Sequence, residues 1–402
     1  MNSCPHLHQP NTAHTIRSDE EALRVATQFS QQLKQQAAQR DQQRLLPFQD
    51  IEALSQSGLW AITVPKAYGG AEVSAETLTQ VIALLSGADG SIGQIPQNHF
   101  YALEVLRNTG TEQQKKRLYQ EVLQGARFGN ALAEFKSKDA TQKHSYLTAH
   151  GEGYLIQGEK FYCTGSLFAH RISTLVKDQH GHEYLAFIKK ETQGLQIIDD
   201  WQAFGQRLTG SGTVKLNQVY VNAEDVVAFS DVFLRPTLIG PYAQLLHAAI
   251  DVGIARAAFE ETLQQIKHAR PWIDANVASA TQDPLTLYEL GHVAVDVKAS
   301  ELLLKEAAKY IDAIKPQPNA ENIAQASIHV ARVRAHSTET ALKASSKLIE
   351  LAGSRGCQRS KGLDVYWRNA RVHTLHDAAR WKYYFIGNYV LNHVRPPRRG
   401  TL

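Results

Sequence analysis

The chain has 402 residues, 43% of them hydrophobic and 20% charged, with a formal net charge of +4. That is a folded chain long enough for two or three domains with a large core, and it excludes a disordered polyelectrolyte. Three scattered cysteines, Cys4, Cys163 and Cys357, give neither a disulfide framework nor a zinc signature, and no apolar run reaches the roughly 18 residues of a membrane span. The one basic block, the closing RPPRRGTL, reads as a solvated end, so neither nucleic acid nor membrane is expected as a partner.

The opening MNSCPHLHQPNTAHT is polar and lacks the apolar core of a signal peptide, so residues 1–17 are expected to be a flexible arm and the protein to be cytoplasmic. His6 and His8 on such an arm are weak grounds for a metal site, and no metal is expected. Ser18 to Glu21 reads as a capping box, followed by a polar, Gln-rich helix to about Gln43. A helix follows from Pro47 to Gly58, then a turn, AITVPKAYGG. Ser74 caps the next helix, ending near Gly87, and another runs from Ser91 through Val105. Thr111 to Gln114 is a second capping box, and its helix stops at Gly125. Residues 18–125 are thus expected to form an all-helical domain.

Past Phe128 the pattern changes. Tyr146–His150 and Tyr154–Thr164 read as a hairpin across Gly151–Gly153. The run YLAFI, Leu195–Ile198 and Thr213–Val221 read as further strands. Residues 126–232 are expected to be a β domain, a barrel or sandwich. His180 and His182 flank a turn glycine and read as exposed loop residues. Residues 233–402 are expected to be a four-helix bundle, with helices over Leu245–Ala269, Leu285–Ile314 and Ile323–Leu351 and a fourth in Tyr366–Asn392.

That fourth stretch is unusual. His373 and His376 stand three apart with Asp377 beside them. Arg368, Arg371, Arg380 and Lys382 are interleaved with Tyr366, Trp367, Trp381, Tyr383, Tyr384 and Phe385. Such a mixture suits closure over a ligand or a subunit interface, and the residues alone leave both open.

The order of helices, β domain and helical bundle, together with VPKAYGGAEVS, GNALAE, GEKFYCTGSLFA and FGQRLTGSGTVKLNQVYV in sequence, resembles the acyl-CoA dehydrogenase superfamily from about residue 18 onward. SIGQIPQNHFYALEVLR, HARPWIDA and HTLHDAARWKYYFIGNYVLN are similar to its flavin-dependent monooxygenase branch, that of dibenzothiophene monooxygenase and the sulfur-acquisition oxidoreductases. A dehydrogenase needs a carboxylate base, and the two places where the family carries it read HTLHDAA and LLHAAIDVG, without glutamate. Asp251 or Asp377 could substitute, though Asp377 reads better as a partner fixing His376 or an arginine.

The resemblance implies an α+β, acyl-CoA dehydrogenase-like fold. It also implies a reduced-flavin-dependent monooxygenase acting through a flavin C4a-hydroperoxide on a small organosulfur compound with O2. No G-x-G-x-x-G opens a helix after a strand, so there is no nicotinamide site. Reduced FMN, with FAD as the alternative, would come from a separate NAD(P)H-dependent reductase, and a homotetramer is implied. By resemblance His376 controls the peroxide proton, as an imidazole near neutrality can; an interface histidine paired with Asp377 is the plainer reading. Ser166, Thr164 and Asn130 would face the flavin, although a serine after glycine is usually a turn residue and an asparagine at a strand start usually bonds its own backbone. His99 and Tyr101 would line the substrate side, against the ordinary alternative of core residues in an apolar helix. Trp201 would wall the ring, and Arg270, Ser354 and Arg355 would contact phosphate, partly across subunits; exposed helix-end side chains are the alternative. Two competing readings remain: a dehydrogenase with a displaced base, and a non-catalytic flavin-binding scaffold or sensor.

Overall fold

The computed structural model describes residues 13–134 and 144–400; His6 and His8 lie outside them. Six α-helices come first: α1 (Asp19–Lys34), α2 (Ala37–Gln43), α3 (Phe48–Gln56), α4 (Ala75–Ala88), α5 (Ile95–Thr109) and α6 (Glu112–Leu123). Eight strands follow: β1 (Phe128–Ala131), β2 (Tyr146–His150), β3 (Gly153–Lys160), β4 (Arg171–Lys177), β5 (Glu183–Lys189), β6 (Leu195–Ile198), β7 (Thr213–Asn222) and β8 (Val226–Ala228). Helices then return: α7 (Ile239–Ile266), α8 (Pro284–Ile314), α9 (Ala320–Ala352), α10 (Asp364–His373) and α11 (Ala379–Asn392).

The caps act largely as the residues dictate. Thr111 and Gln114 form a reciprocal capping box on α6. At α1, Ser18 accepts from the Glu21 amide, but the Glu21 carboxylate turns outward to the Arg17 amide and His14. The Gln-rich helix breaks at Gln36, where Arg40 on α2 is drawn inward to the buried Asp89 after α4. A buried guanidinium needs such a partner to offset its lost hydration.

The strands make one mixed sheet, in the order β6-β7-β3-β2-β4-β5-β8, with β1 added in parallel alongside β4. β4 and β8 escape a search for strand patterns. β4 is buried along nearly its whole length, so it shows no alternation, and it begins with a charged residue. Arg171 is tolerated there because Glu121 of α6 and Asp225 both bind its guanidinium.

Among the C-terminal helices α7 is central: every residue from Ile239 to Ala255 is buried. It packs against α4, α8, α9 and α10, so apolar side chains such as Ile250 and Ile254 each stabilise the fold by about 1.5–3 kcal/mol. The expected single helix over Tyr366–Asn392 is two helices. After His373 the chain turns, with the His376 amide bonding the His373 carbonyl, and Ala378 is extended before α11 begins. The turn lets Asp377 reach Arg334 of α9 and Lys382 of α11.

Candidate active site

One group of side chains lies on the sheet and another at the α10–α11 turn, and a run of hydrogen bonds leads from the first to Asn369 of α10. On the sheet, the Asn130 amide bonds the Thr164 carbonyl, and Ser166 Oγ donates to the Asn130 carbonyl at 2.8 Å. Asn130 Nδ2 donates to the Tyr162 carbonyl, which leaves Asn130 Oδ1 buried with no partner among the described residues. A Cβ at Gly129 would stand 2.7 Å from Ser166 Cα, so this close approach of strand and turn requires glycine. From Thr164 the run continues to Ser211 Oγ (2.7 Å), Thr209 Oγ1 (2.7 Å) and the Gln206 carbonyl (3.0 Å). The Gln206 amide then donates to Asn369 Oδ1 of α10 at 2.7 Å. Gly205 makes that docking possible, because a Cβ there would meet the Arg368 carbonyl oxygen at 1.9 Å.

Beside this run aromatic rings stay accessible. Tyr162, in the left-handed region at φ 55°, is 47% exposed, and its ring lies 5.9 Å from that of Trp201. Trp201 is held by its Nε1 bond to the Gln206 carbonyl. Phe204 stacks on Trp367 of α10 at 6.0 Å. Accessible rings beside an unsatisfied acceptor and a row of hydroxyls fit a flat aromatic group with a polar edge, as the ring system of a flavin is.

At the turn, His247 and Asp251 project from one face of α7, one helical turn apart. His373 bridges them: its Nδ1 is 2.5 Å from Asp251 Oδ1 and its Nε2 is 3.1 Å from His247 Nδ1. Arg334 of α9, 1% exposed, pairs with Asp251 and with Asp377, and Lys382 binds Asp377 at 3.1 Å. Two cations thus balance two carboxylates. Burial pushes the Asp377 carboxyl upward, but Arg334 and Lys382 outweigh it and hold it below the usual range.

His376 packs its ring on His247, with centroids 3.9 Å apart. The His376 side chain remains solvent-accessible although protein surrounds it closely, so it lines a crevice. Neither of its ring nitrogens has a hydrogen-bond partner among the described residues. Desolvation in the crevice lowers its pKa to about 4, with His373, Arg334 and Lys382 adding to the shift and Asp377 opposing it. The ring is a neutral imidazole at pH 7. His247, 2% exposed, is held well below the usual imidazole range, first by burial and then by the neighbouring imidazoles.

The sequence-predicted residues therefore separate. Asn130, Thr164, Ser166 and Trp201 come together on the sheet side, and His376 stands at the turn. His99 is fully buried with both nitrogens engaged, accepting from the Phe128 amide at 3.0 Å and bonding the Trp60 carbonyl at 2.8 Å. It ties α5 to β1 and has no nitrogen left for a substrate. Tyr101 is buried, its hydroxyl lying where a Cβ of Gly400 would be 3.2 Å away. Arg270, Ser354 and Arg355 are exposed, and their side chains hydrogen-bond to no described residue. Asp251 and Asp377, the substitute bases considered above, are both in ion pairs. His247 and Arg334 were missed as site residues. For His247 the signal was present in LLHAAIDVG, where two ionisable residues four apart interrupt an otherwise apolar helix.

Residues 18–126 match the family described as acyl-CoA dehydrogenase, N-terminal domain, and residues 245–381 the family described as acyl-CoA dehydrogenase, C-terminal domain. The chain is 31% identical over 395 residues to a dibenzothiophene monooxygenase of Mycolicibacterium goodii, covering 93% of this chain and 94% of that one. It is 28% identical over 389 residues to the probable FMNH2-dependent monooxygenase SfnC of Pseudomonas putida, covering 93% and 96% respectively. The crystal structure of FMN-bound TdsC from Paenibacillus sp. A11-2 superposes with a TM-score of 0.91 at 29% identity, covering 95% of this chain and all of that one (100%).

Proposed function

The chain belongs to the acyl-CoA dehydrogenase family and, within it, to the group of the dibenzothiophene monooxygenases, and from that we propose that it oxidises a small organosulfur compound with dioxygen and reduced FMN, in sulfur acquisition. One observation carries the reading. The ionisable group left open at the α10–α11 turn is a neutral imidazole, His376, while the nearby carboxylates Asp251 and Asp377 are committed to Arg334, His373 and Lys382. Proton abstraction beside a thioester needs an uncommitted base, and neither carboxylate offers one.

Reduced FMN, when bound, supplies two electrons and activates dioxygen. The protein residues bind, orient and manage protons. Asn130 Oδ1, with no partner among the described residues, would accept from the flavin edge, and Thr164 and Ser166 would shape the wall beside it. Tyr162 and Trp201 would cover the ring system. Arg270, Ser354 and Arg355 would contact the phosphate, in part from a neighbouring subunit of a homotetramer. Their side chains, which bond no described residue, and the exposed Trp272, Trp381, Tyr384 and Leu391, support such an assembly. His376 holds or returns the proton on the oxygen side. His99 takes no part in the chemistry and positions β1. Reduced flavin comes from a separate NAD(P)H-dependent reductase in the cytoplasm.

The test is oxygen uptake by purified protein with FMN and an NAD(P)H-dependent flavin reductase. Dimethyl sulfone, methanesulfinate and dibenzothiophene are offered in turn, and oxygenated sulfur product and peroxide are quantified. Sulfur product in proportion to oxygen consumed is expected with at least one of them. If all oxygen ends as peroxide while an acyl-CoA bleaches the flavin anaerobically, the protein is a dehydrogenase instead.

A further inference from the structure

The buried pair behind His376 has a geometry that core packing does not require. Asp251 Oδ1 can only accept, so His373 donates to it through Nδ1–H at 2.5 Å. Where His373 carries a single ring proton, its Nε2 is the acceptor in the 3.1 Å contact and His247 donates through its own Nδ1–H. The chain Asp251–His373–His247 thus selects one tautomer at each ring. It leaves His247 Nε2 unprotonated, with no hydrogen-bond partner among the described residues. Other charged and titratable groups face it from α9 (Arg334), from the α10–α11 turn (His376 and Asp377) and from α11 (Lys382).

We propose that His247 and His373, anchored by Asp251, are positioning residues that hold the His376 ring in one orientation toward the crevice. The contact that transmits this is the 3.9 Å approach of the His247 and His376 rings. A ring whose own hydrogen bond fixes its rotation presents a fixed face to the ring packed on it. An unanchored ring would turn about its χ2 torsion, which is broad for histidine. Burial keeps His247 neutral, so the chain does not switch to a charged form across the working pH range. The inference rests on the functional reading only for the role of His376.

Two substitutions at one position separate anchoring from packing. His247→Asn keeps a side-chain N–H where Nδ1 stood and loses the ring. His247→Phe keeps the ring and severs the chain. The readouts are the pH profile for oxidation of reduced FMN by O2 in the presence of the protein, and the share of oxygen released as peroxide. Because the orientation passes through the ring contact, anchoring predicts that both variants lose on the order of tenfold or more of the protein-dependent effect: His247→Phe because its ring is no longer held by His373, and His247→Asn because no ring meets His376. A His247→Phe variant at the wild-type profile, as packing alone would give, overturns the proposal, and so does a His247→Asn variant at that profile. Loss in both through misfolding is separated by flavin-free wild-type protein. Nitrogen-15 histidine spectra must show His247 as the Nδ1–H tautomer, and an Nε2–H tautomer overturns the proposal. If the wild-type protein leaves reduced-FMN oxidation unaltered, the monooxygenase reading fails, while the tautomer measurement still tests the chain.

Discussion

The rings of His247 and His376 meet at a centroid separation of 3.9 Å, one on the fully buried stretch of α7 and the other on an accessible turn. The contact makes His376 the exposed end of a buried polar system, held near neutrality by desolvation and by surrounding charge.

His376→Asn should retain the fold, because the side chain is accessible and bonds no described residue. Product formation from the organosulfur substrate should fall about 100-fold or more, with oxygen diverted to peroxide. Since desolvation and the surrounding cations lower the His376 pKa, the acid limb of the wild-type rate profile should lie below the ordinary imidazole range. A limb centred at or above the usual imidazole value would show that another group controls the proton.

Asp251→Asn removes the charge that Arg334 and His373 share. The guanidinium stays buried, with only the more distant Asp377 to neutralise it. Stripping one partner from a buried ion pair costs about 3–5 kcal/mol, so urea unfolding should show a lower midpoint. Arg334→Met in the same chain should recover part of the loss. No recovery would mean that Asp251 stabilises the fold through His373 alone.

His99 links stability to pH. Burial, assisted by Arg127 and opposed by the Trp60 carbonyl, lowers its pKa from the model-peptide value of 6.5 to about 3. The unfolded chain therefore binds a proton that the folded chain refuses between those values. The stability contributed by neutral His99 is complete above 6.5 and is lost progressively as pH falls toward 3. His99→Gln should unfold more easily at pH 7, since the Phe128 amide loses its acceptor, and its denaturation midpoint should change less than that of wild type between pH 7 and 5. Equal acid sensitivity in the two proteins would rule out this assignment.

Asn130→Leu should weaken reduced-FMN binding by about tenfold, the loss of one good hydrogen bond, as measured by fluorescence titration. Gly205→Ala should weaken it by another route: a Cβ 1.9 Å from the Arg368 carbonyl oxygen must push the Gln206 loop off α10. If binding is unchanged in Gly205→Ala while stability drops, the loop is a structural brace and does not shape the flavin site.

Local order was legible in the sequence wherever a local rule decides it. Thr111 and Gln114 cap α6 because the two residues complete each other's hydrogen bonds within four positions. α9 carries a clear periodicity, and Gly353 marks its end. The absence of glutamate at the two family base positions could also be read directly, and with it the departure from dehydrogenase chemistry. What escaped was decided by contact over long sequence separations. β4 shows no alternation because both its faces are covered, and its leading Arg171 looks exposed until Glu121 and Asp225 arrive. The helix expected across Tyr366–Asn392 breaks at His376 and Asp377 because Arg334 and Lys382 lie within reach there. His99 and Tyr101 cannot be assigned to core or pocket from helix position alone, since that depends on what packs against the helix. The chain of Asp251, His373 and His247 exists only because α7 and α10 cross with those residues facing each other. Spacing along one helix determines which side chains share a face, and only the packing of the helices determines which faces meet.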